Sequence, residues 1–160
     1  MNKTIIIKPH HFLDMIKLYG KGYEIFLPDE NYHHDFYKIG NIILENKNAI
    51  LVLTLSYDDI CRPCKFFKDG KCTDKVKSRG NITSKDSYNR VIDIRILNKL
   101  ELKQGEKLTA LELCSLAKNK LGDISEVWKE ESIEVVKERE KNLLNGINKY
   151  IGNKEKPKNF

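Results

Sequence analysis

Cys61, Cys64 and Cys72 fall within one twelve-residue run, Cys61-Arg62-Pro63-Cys64-Lys65-Phe66-Phe67-Lys68-Asp69-Gly70-Lys71-Cys72. A Cys-x2-Cys turn aims two thiolates at one point, and the Asp69-Gly70 turn lets a third fold back onto it. That geometry suits a soft metal ion. Three ligands are visible, whereas a closed zinc or iron–sulfur site takes four. The fourth has to come from elsewhere in the chain or from an exogenous group such as water.

The first source is Lys8-Pro9-His10-His11-Phe12-Leu13-Asp14, where two imidazoles sit in the opening turn of an expected helix. His11 and Asp14 are three residues apart and share a helical face. A helix N-terminus disfavours protonated imidazole, which keeps these rings in the neutral, metal-competent form. His11 is the leading fourth ligand, completing a site with Cys61, Cys64 and Cys72. Taken alone, His10 reads better as a capping or solvent-facing residue and His11 as a hydrogen-bonded core histidine; the cysteine loop brings the ligand reading level with that one. Asp14 is a second candidate, although its oxygen suits a soft cluster less well. Cys114 is a third; it shares a stripe with Ala110, Ala117 and Leu121, where a cysteine behaves as a small buried hydrophobe.

Four cysteines also allow disulfides, but 160 residues can bury an ordinary core without staples. The N-terminal run has too few apolar residues for a signal peptide, and no stretch approaches the roughly 20 needed to span a membrane. A soluble, cytoplasmic chain with reduced thiols is expected, and there clustered cysteines serve as ligands or redox groups.

A metal-free thiol redox enzyme, with Cys61 attacking and Cys64 resolving, is one alternative. A nucleic-acid-binding knuckle is another. Seven basic residues (Arg62, Lys65, Lys68, Lys71, Lys75, Lys77, Arg79) face two acidic ones between Cys61 and Gly80, out of a net charge of +6. Cations also gather near thiolates, and no aromatic stacking pattern accompanies these lysines. Nucleic acid is therefore not the favoured partner. No Gly-rich phosphate loop and no Gly-x-Ser-x-Gly elbow is present. His33-His34-Asp35 follows a loop where it could cap the second helix, and reads as surface, with a metal or catalytic role as the lesser alternative.

The elements that must position these residues give an α+β outline, with 40% hydrophobic and 32% charged residues. Thr4-Ile5-Ile6-Ile7 predicts a strand, and Pro9 opens a helix that ends at Gly20. Phe36, Ile39 and Ile43 predict a second helix over 32–45. Ile50 to Leu55 is a continuous apolar run, expected as a strand covered on both faces beside the first. Capping boxes at Thr83-Ser84-Lys85-Asp86 and Thr109-Ala110-Leu111-Glu112 open two further helices. From Asp123 or Ser125 a long charged helix is expected to about Tyr150. Its apolar positions Val136, Leu143 and Tyr150 recur at seven residues and hint at helix pairing, hence at a homodimer.

The sum is a small two-stranded sheet with about five helices and a Cys-rich loop. Residues 1–122 form the metal-binding domain, 123–151 a helix packed on it or on a partner, and 152–160 a flexible tail.

Lys8-Pro9-His10-His11-Phe12-Leu13, Gly20-Lys21-Gly22-Tyr23 and Asp58-Asp59-Ile60-Cys61-Arg62-Pro63-Cys64 with Cys72, in this order, resemble domain-of-unknown-function family 1284. The likeness continues through Leu100-Glu101-Leu102-Lys103-Gln104-Gly105 to Leu113. The resemblance implies a small bacterial or archaeal protein suspected of binding an iron–sulfur cluster, with no named reaction. The family pattern carries a cysteine where this chain has Asp14, and a second Cys-rich group where it has Ser125 to Ser132. Both departures remove soft ligands and bring zinc in a mixed thiolate and imidazole site level with a cluster.

Overall fold

The structure, a computed structural model, describes residues 4–78 and 81–153. The first strand, β1 (Ile5–Ile7), runs directly into helix α1 (Pro9–Gly20), with Pro9 in the first turn where its missing N–H is no loss. Phe12, Leu13, Met15, Ile16 and Tyr19 are all buried, so one face of α1 forms the middle of the core. Helix α2 (Phe36–Glu45) starts four residues later than the sequence suggests. Residues before it are held in a turn, where Asp29 Oδ1 accepts from the N–H groups of Asn31 and Tyr32.

Strand β2 (Ile50–Leu53) pairs parallel with β1, in the register Ile5↔Leu51, Ile6↔Val52, Ile7↔Leu53. The expected pairing is present, but the sheet is not two-stranded. After the small hairpins β3 (Phe67–Lys68) with β4 (Lys71–Cys72) and β5 (Lys75–Ser78) with β6 (Asn81–Ser84), and after helix α3 (Lys85–Leu100), strand β7 (Lys107–Thr109) adds antiparallel to β2. Lys107-Leu108-Thr109 is too short and polar to announce itself as a strand. β2 is therefore central, but covered unevenly: Leu51 and Leu53 are buried while Ile50 and Val52 are only half-buried. A continuous apolar run here conceals an alternating burial pattern.

Both capping signals open helices, but the first of these helices is capped one residue later than the Thr83–Asp86 box predicts, and by a single side-chain bond. Ser84 Oγ accepts from Ser87 N–H at the start of α3, and Thr109 makes both bonds of a capping box with Glu112 at the start of α4 (Ala110–Lys120). The long charged helix begins later than expected. A 3₁₀ turn at Ile124–Glu126 and a loop that buries Val127 and Trp128 come first, and α5 runs from Ile133 to Gly152. Ser132 caps it. Of the expected tail, residues 154–160 lie outside the described ones.

Helix α5 packs on α1 and α4. Its heptad stripe Val136, Leu143 and Tyr150 is buried within the chain, so the surface that hinted at pairing is already covered. The crossing with α1 is close because two glycines meet. A Cβ on Gly20 would stand 1.9 Å from Asn142 O, and one on Gly146 would stand 1.8 Å from Ile16 O. Gly20 is thus both the last residue of α1, as the sequence suggests, and a contact point with α5. The chain is an α+β fold with five α-helices among the described residues, and none of these is long and apolar enough to cross a membrane.

Candidate metal centre

Because β1 and β2 are parallel neighbours, their C-terminal ends emerge side by side. One feeds the first turn of α1, and the other feeds the loop that carries Cys61. This is where ligand sites gather in parallel sheets. The loop is tied to the first strand by backbone bonds, Thr54 N–H to Ile7 O and Asp59 N–H to Ile6 O, each 3.1 Å. Asp59 Oδ2 also accepts from Ile6 N–H at 2.9 Å.

Asp58, fully buried, is the hub of the junction. Its Oδ2 accepts from Lys8 N–H (2.8 Å) and His11 Nδ1–H (2.6 Å), and its Oδ1 from Ile60 N–H (3.1 Å) and Cys61 N–H (3.0 Å). One carboxylate therefore binds the α1 N-terminus to the Cys turn. Asp93 of α3, also fully buried, does the same for the neighbouring ring: it accepts from His10 N–H (2.7 Å) and from His10 Nδ1–H (2.9 Å). Lys8 offers α1 no side-chain cap and the first turn holds no acid, so these two remote carboxylates supply the missing acceptors.

Burial alone would raise the Asp58 pKa, but His11 and the N–H donors aimed at it outweigh that and hold it well below the usual carboxylate range. Burial, helped by the charges of His10 and Lys8, pulls His11 down and keeps it neutral despite Asp58. With Nδ1–H given to Asp58, the lone pair of His11 lies on Nε2, the arrangement that orients a histidine for a metal. Burial would likewise depress His10, but Asp93 wins and raises it. Burial and the Asp58 charge push the Cys61 thiol up to about 12. The Lys8 ammonium pulls the other way, without outweighing burial and Asp58.

His11, Asp58 and Cys61 present ligand atoms that all lie within 4.8 Å of one another. Cys64 and Cys72 do not join that close set, yet both line the same cavity of about 400 Å³, as do His10, His11, Asp14 and Cys61. Cys64 N–H donates to Cys61 O (2.9 Å), which closes the Cys-x2-Cys turn, and Cys72 lies on β4 opposite Phe67. The His-His helix and the cysteine run, remote in sequence, thus face one space.

The other fourth-ligand candidates part company. Asp14 reaches the cavity, but its Oδ1 accepts from Arg139 (2.9 Å) and Lys17 (3.3 Å), and these cations hold its carboxyl below the ordinary range against burial. Cys114 is fully buried among core residues and does not line the cavity; burial pushes its thiol up to about 12. His34, read as surface, is instead half-buried in the cavity wall, stacked on Tyr32 at 5.4 Å, with its Nδ1 buried and without a hydrogen-bond partner among the described residues.

Asp58 and Asp93 escaped the sequence reading. Asp93 carries a signal in retrospect. It sits with Ile92, Ile96, Leu97 and Leu100 on the buried side of α3, where a carboxylate needs a partner.

No curated protein and no solved structure matches the chain. A family model described as "Protein of unknown function (DUF1284)" matches residues 29–140. The matched segment holds Asp58, the three clustered cysteines and Asp93, and begins after His10 and His11. It spans well over half of the sequence, and the chain belongs to the DUF1284 family.

Proposed function

We propose that this protein binds one metal centre in the cavity between α1 and the cysteine run, with Cys61 and His11 as its nucleus and Cys64 and Cys72 as its further ligands. The observation that carries this reading is the close set His11, Asp58 and Cys61, with ligand atoms within 4.8 Å. Asp58 is the positioning carboxylate rather than a ligand, because its oxygens already accept four N–H bonds, about as many as a carboxylate has lone-pair sites. Its hold on His11 Nδ1 matches the carboxylate–histidine pairing that accompanies zinc. A bound cation also reverses the penalty that keeps Cys61 protonated.

The metal is zinc or an iron–sulfur cluster. The imidazole and its carboxylate favour zinc, the family resemblance favours a cluster, and a cavity of about 400 Å³ has room for either. No reaction is assigned to the centre. Elemental analysis and absorption spectra of anaerobically purified protein test the reading, alongside His11→Ala, Cys61→Ser, Cys64→Ser, Cys72→Ser, Asp14→Ala and Cys114→Ser. Metal is expected to be lost in the first four variants and kept in the last two. Colourless protein with zinc selects zinc, and brown protein with iron and sulfide selects the cluster. Undiminished metal in both Cys61→Ser and His11→Ala would overturn the proposal.

A further inference from the structure

The cavity holds more than ligands. Its charged lining residues are almost all paired: Lys17 with Asp14, Lys85 with Asp74, and Asp29 with the N–H groups of its own turn. Lys8 is the exception. It is 5% exposed and lines the cavity, its charge acts on His10, His11 and Cys61, and its ammonium makes no ion pair or side-chain hydrogen bond among the described residues. An ammonium whose stem is buried and whose tip opens on a cavity with no carboxylate beside it leaves a place for an anion. Four rings, Tyr32, His34, Phe36 and Phe66, also line this space, with Tyr32–His34 stacked and Tyr32–Phe66 at 5.5 Å. A lone metal ion needs neither the rings nor about 400 Å³.

We infer that the cavity is a binding site for a small organic oxyanion with a flat apolar body, a compact aromatic acid in chemical class, whose anionic group pairs with Lys8 and whose ring rests on the Tyr32, His34, Phe36 and Phe66 wall. The bound anion satisfies the one unpaired cation of the lining, and the rings shield the pair from water, which strengthens it. This inference concerns the same cavity as the metal reading but does not need it, since Lys8 and the ring wall are present without a metal. With a metal bound, the anion lies beside His11 and Cys61, so the centre would face a small molecule rather than serve only to hold the fold.

Calorimetry and amide chemical-shift titrations of the full chain, metal-free and zinc-loaded, test this with benzoate, acetate and inorganic phosphate. Saturable benzoate binding is expected, with shifts centred on residues 8–14 and 32–36. Acetate, lacking the ring, is expected to bind about tenfold more weakly. Lys8→Met, which keeps the apolar stem, should weaken benzoate about tenfold or more. Phe66→Leu should weaken benzoate but not acetate. Circular dichroism checks that both variants fold.

Absence of saturable benzoate binding to both forms of the wild type would overturn the inference, as would affinity indifferent to Lys8→Met. Phosphate binding more tightly than benzoate would overturn the ring wall's part in it. Loss of zinc from Lys8→Met with no anion binding by the wild type would assign Lys8 to balancing the thiolates, and would overturn it too. Benzoate binding by a chain that takes up no metal would sink the metal reading and leave this one standing.

Discussion

Asp58 decides what the neighbouring side chains can do. It fixes the His11 tautomer, caps the α1 backbone at Lys8 and orders the Cys61 turn with one buried charge. Asp58→Asn substitutes an amide donor where N–H donors converge, and is expected to lower stability by about 2 kcal/mol in urea denaturation. The same change should weaken zinc binding about 10- to 100-fold in chelator competition, the usual effect of removing a carboxylate behind a ligating histidine. Thiol chemistry separates the cysteines. Cys114 is shut in the core, so mass spectrometry after iodoacetamide treatment should find it unmodified in native protein and modified once the chain is denatured. The metal-free Cys61 thiol, raised to about 12, titrates above the working range, so its alkylation rate should climb about tenfold per pH unit between pH 7 and 10. A rate flat over that range would mean that its thiolate is stabilised in a way the Asp58 contact opposes.

Two helices and two strand ends build the site. Parallel pairing of β1 with β2 puts the start of α1 against the cysteine turn, and α5 holds α1 in place from behind through the Gly20–Gly146 contact. At 1.8 Å from Ile16 O, a methyl at position 146 meets backbone that cannot step aside as a side chain would. Gly146→Ala is expected to lower stability by about 3 kcal/mol through overpacking, whereas Gly152→Ala, with open space around its Cβ, should be near neutral. The contrast is measured by denaturant midpoints of the two variants. A smaller, independent effect belongs to α4. Thr109→Ala removes half of a complete capping box and should cost about 1 kcal/mol without altering metal content.

For the whole molecule, a metal clasping α1 to the cysteine run joins parts about fifty residues apart in sequence, so binding should stabilise the entire fold. At a free zinc concentration a thousandfold above Kd, the gain is about 4 kcal/mol. Thermal melts with zinc and with chelator should differ accordingly, and His11→Ala should abolish the difference. Equal melting temperatures in the two conditions would show that the ligands do not engage a metal in the folded chain.

The sequence by itself determined the α+β class, the neighbouring strand pair, both capped helices, the family and the nearness of the His-His helix to the cysteine run. Each of these follows from local pattern: β-branched runs, capping residues, helical periodicity and cysteine spacing. Only tertiary structure decided which partners those residues meet. Cys114 and Asp14 stood behind His11 as candidates until packing sealed one in the core and Arg139, from the far end of the chain, claimed the other. Asp58, Asp93 and Lys8 were just three more charged residues in a chain that is 32% charged. Their burial, which turns ordinary charges into a hub, a cap and an unpaired cation, depends on contacts with residues 50 to 83 positions away for the two carboxylates, and spacing along the chain does not encode those contacts.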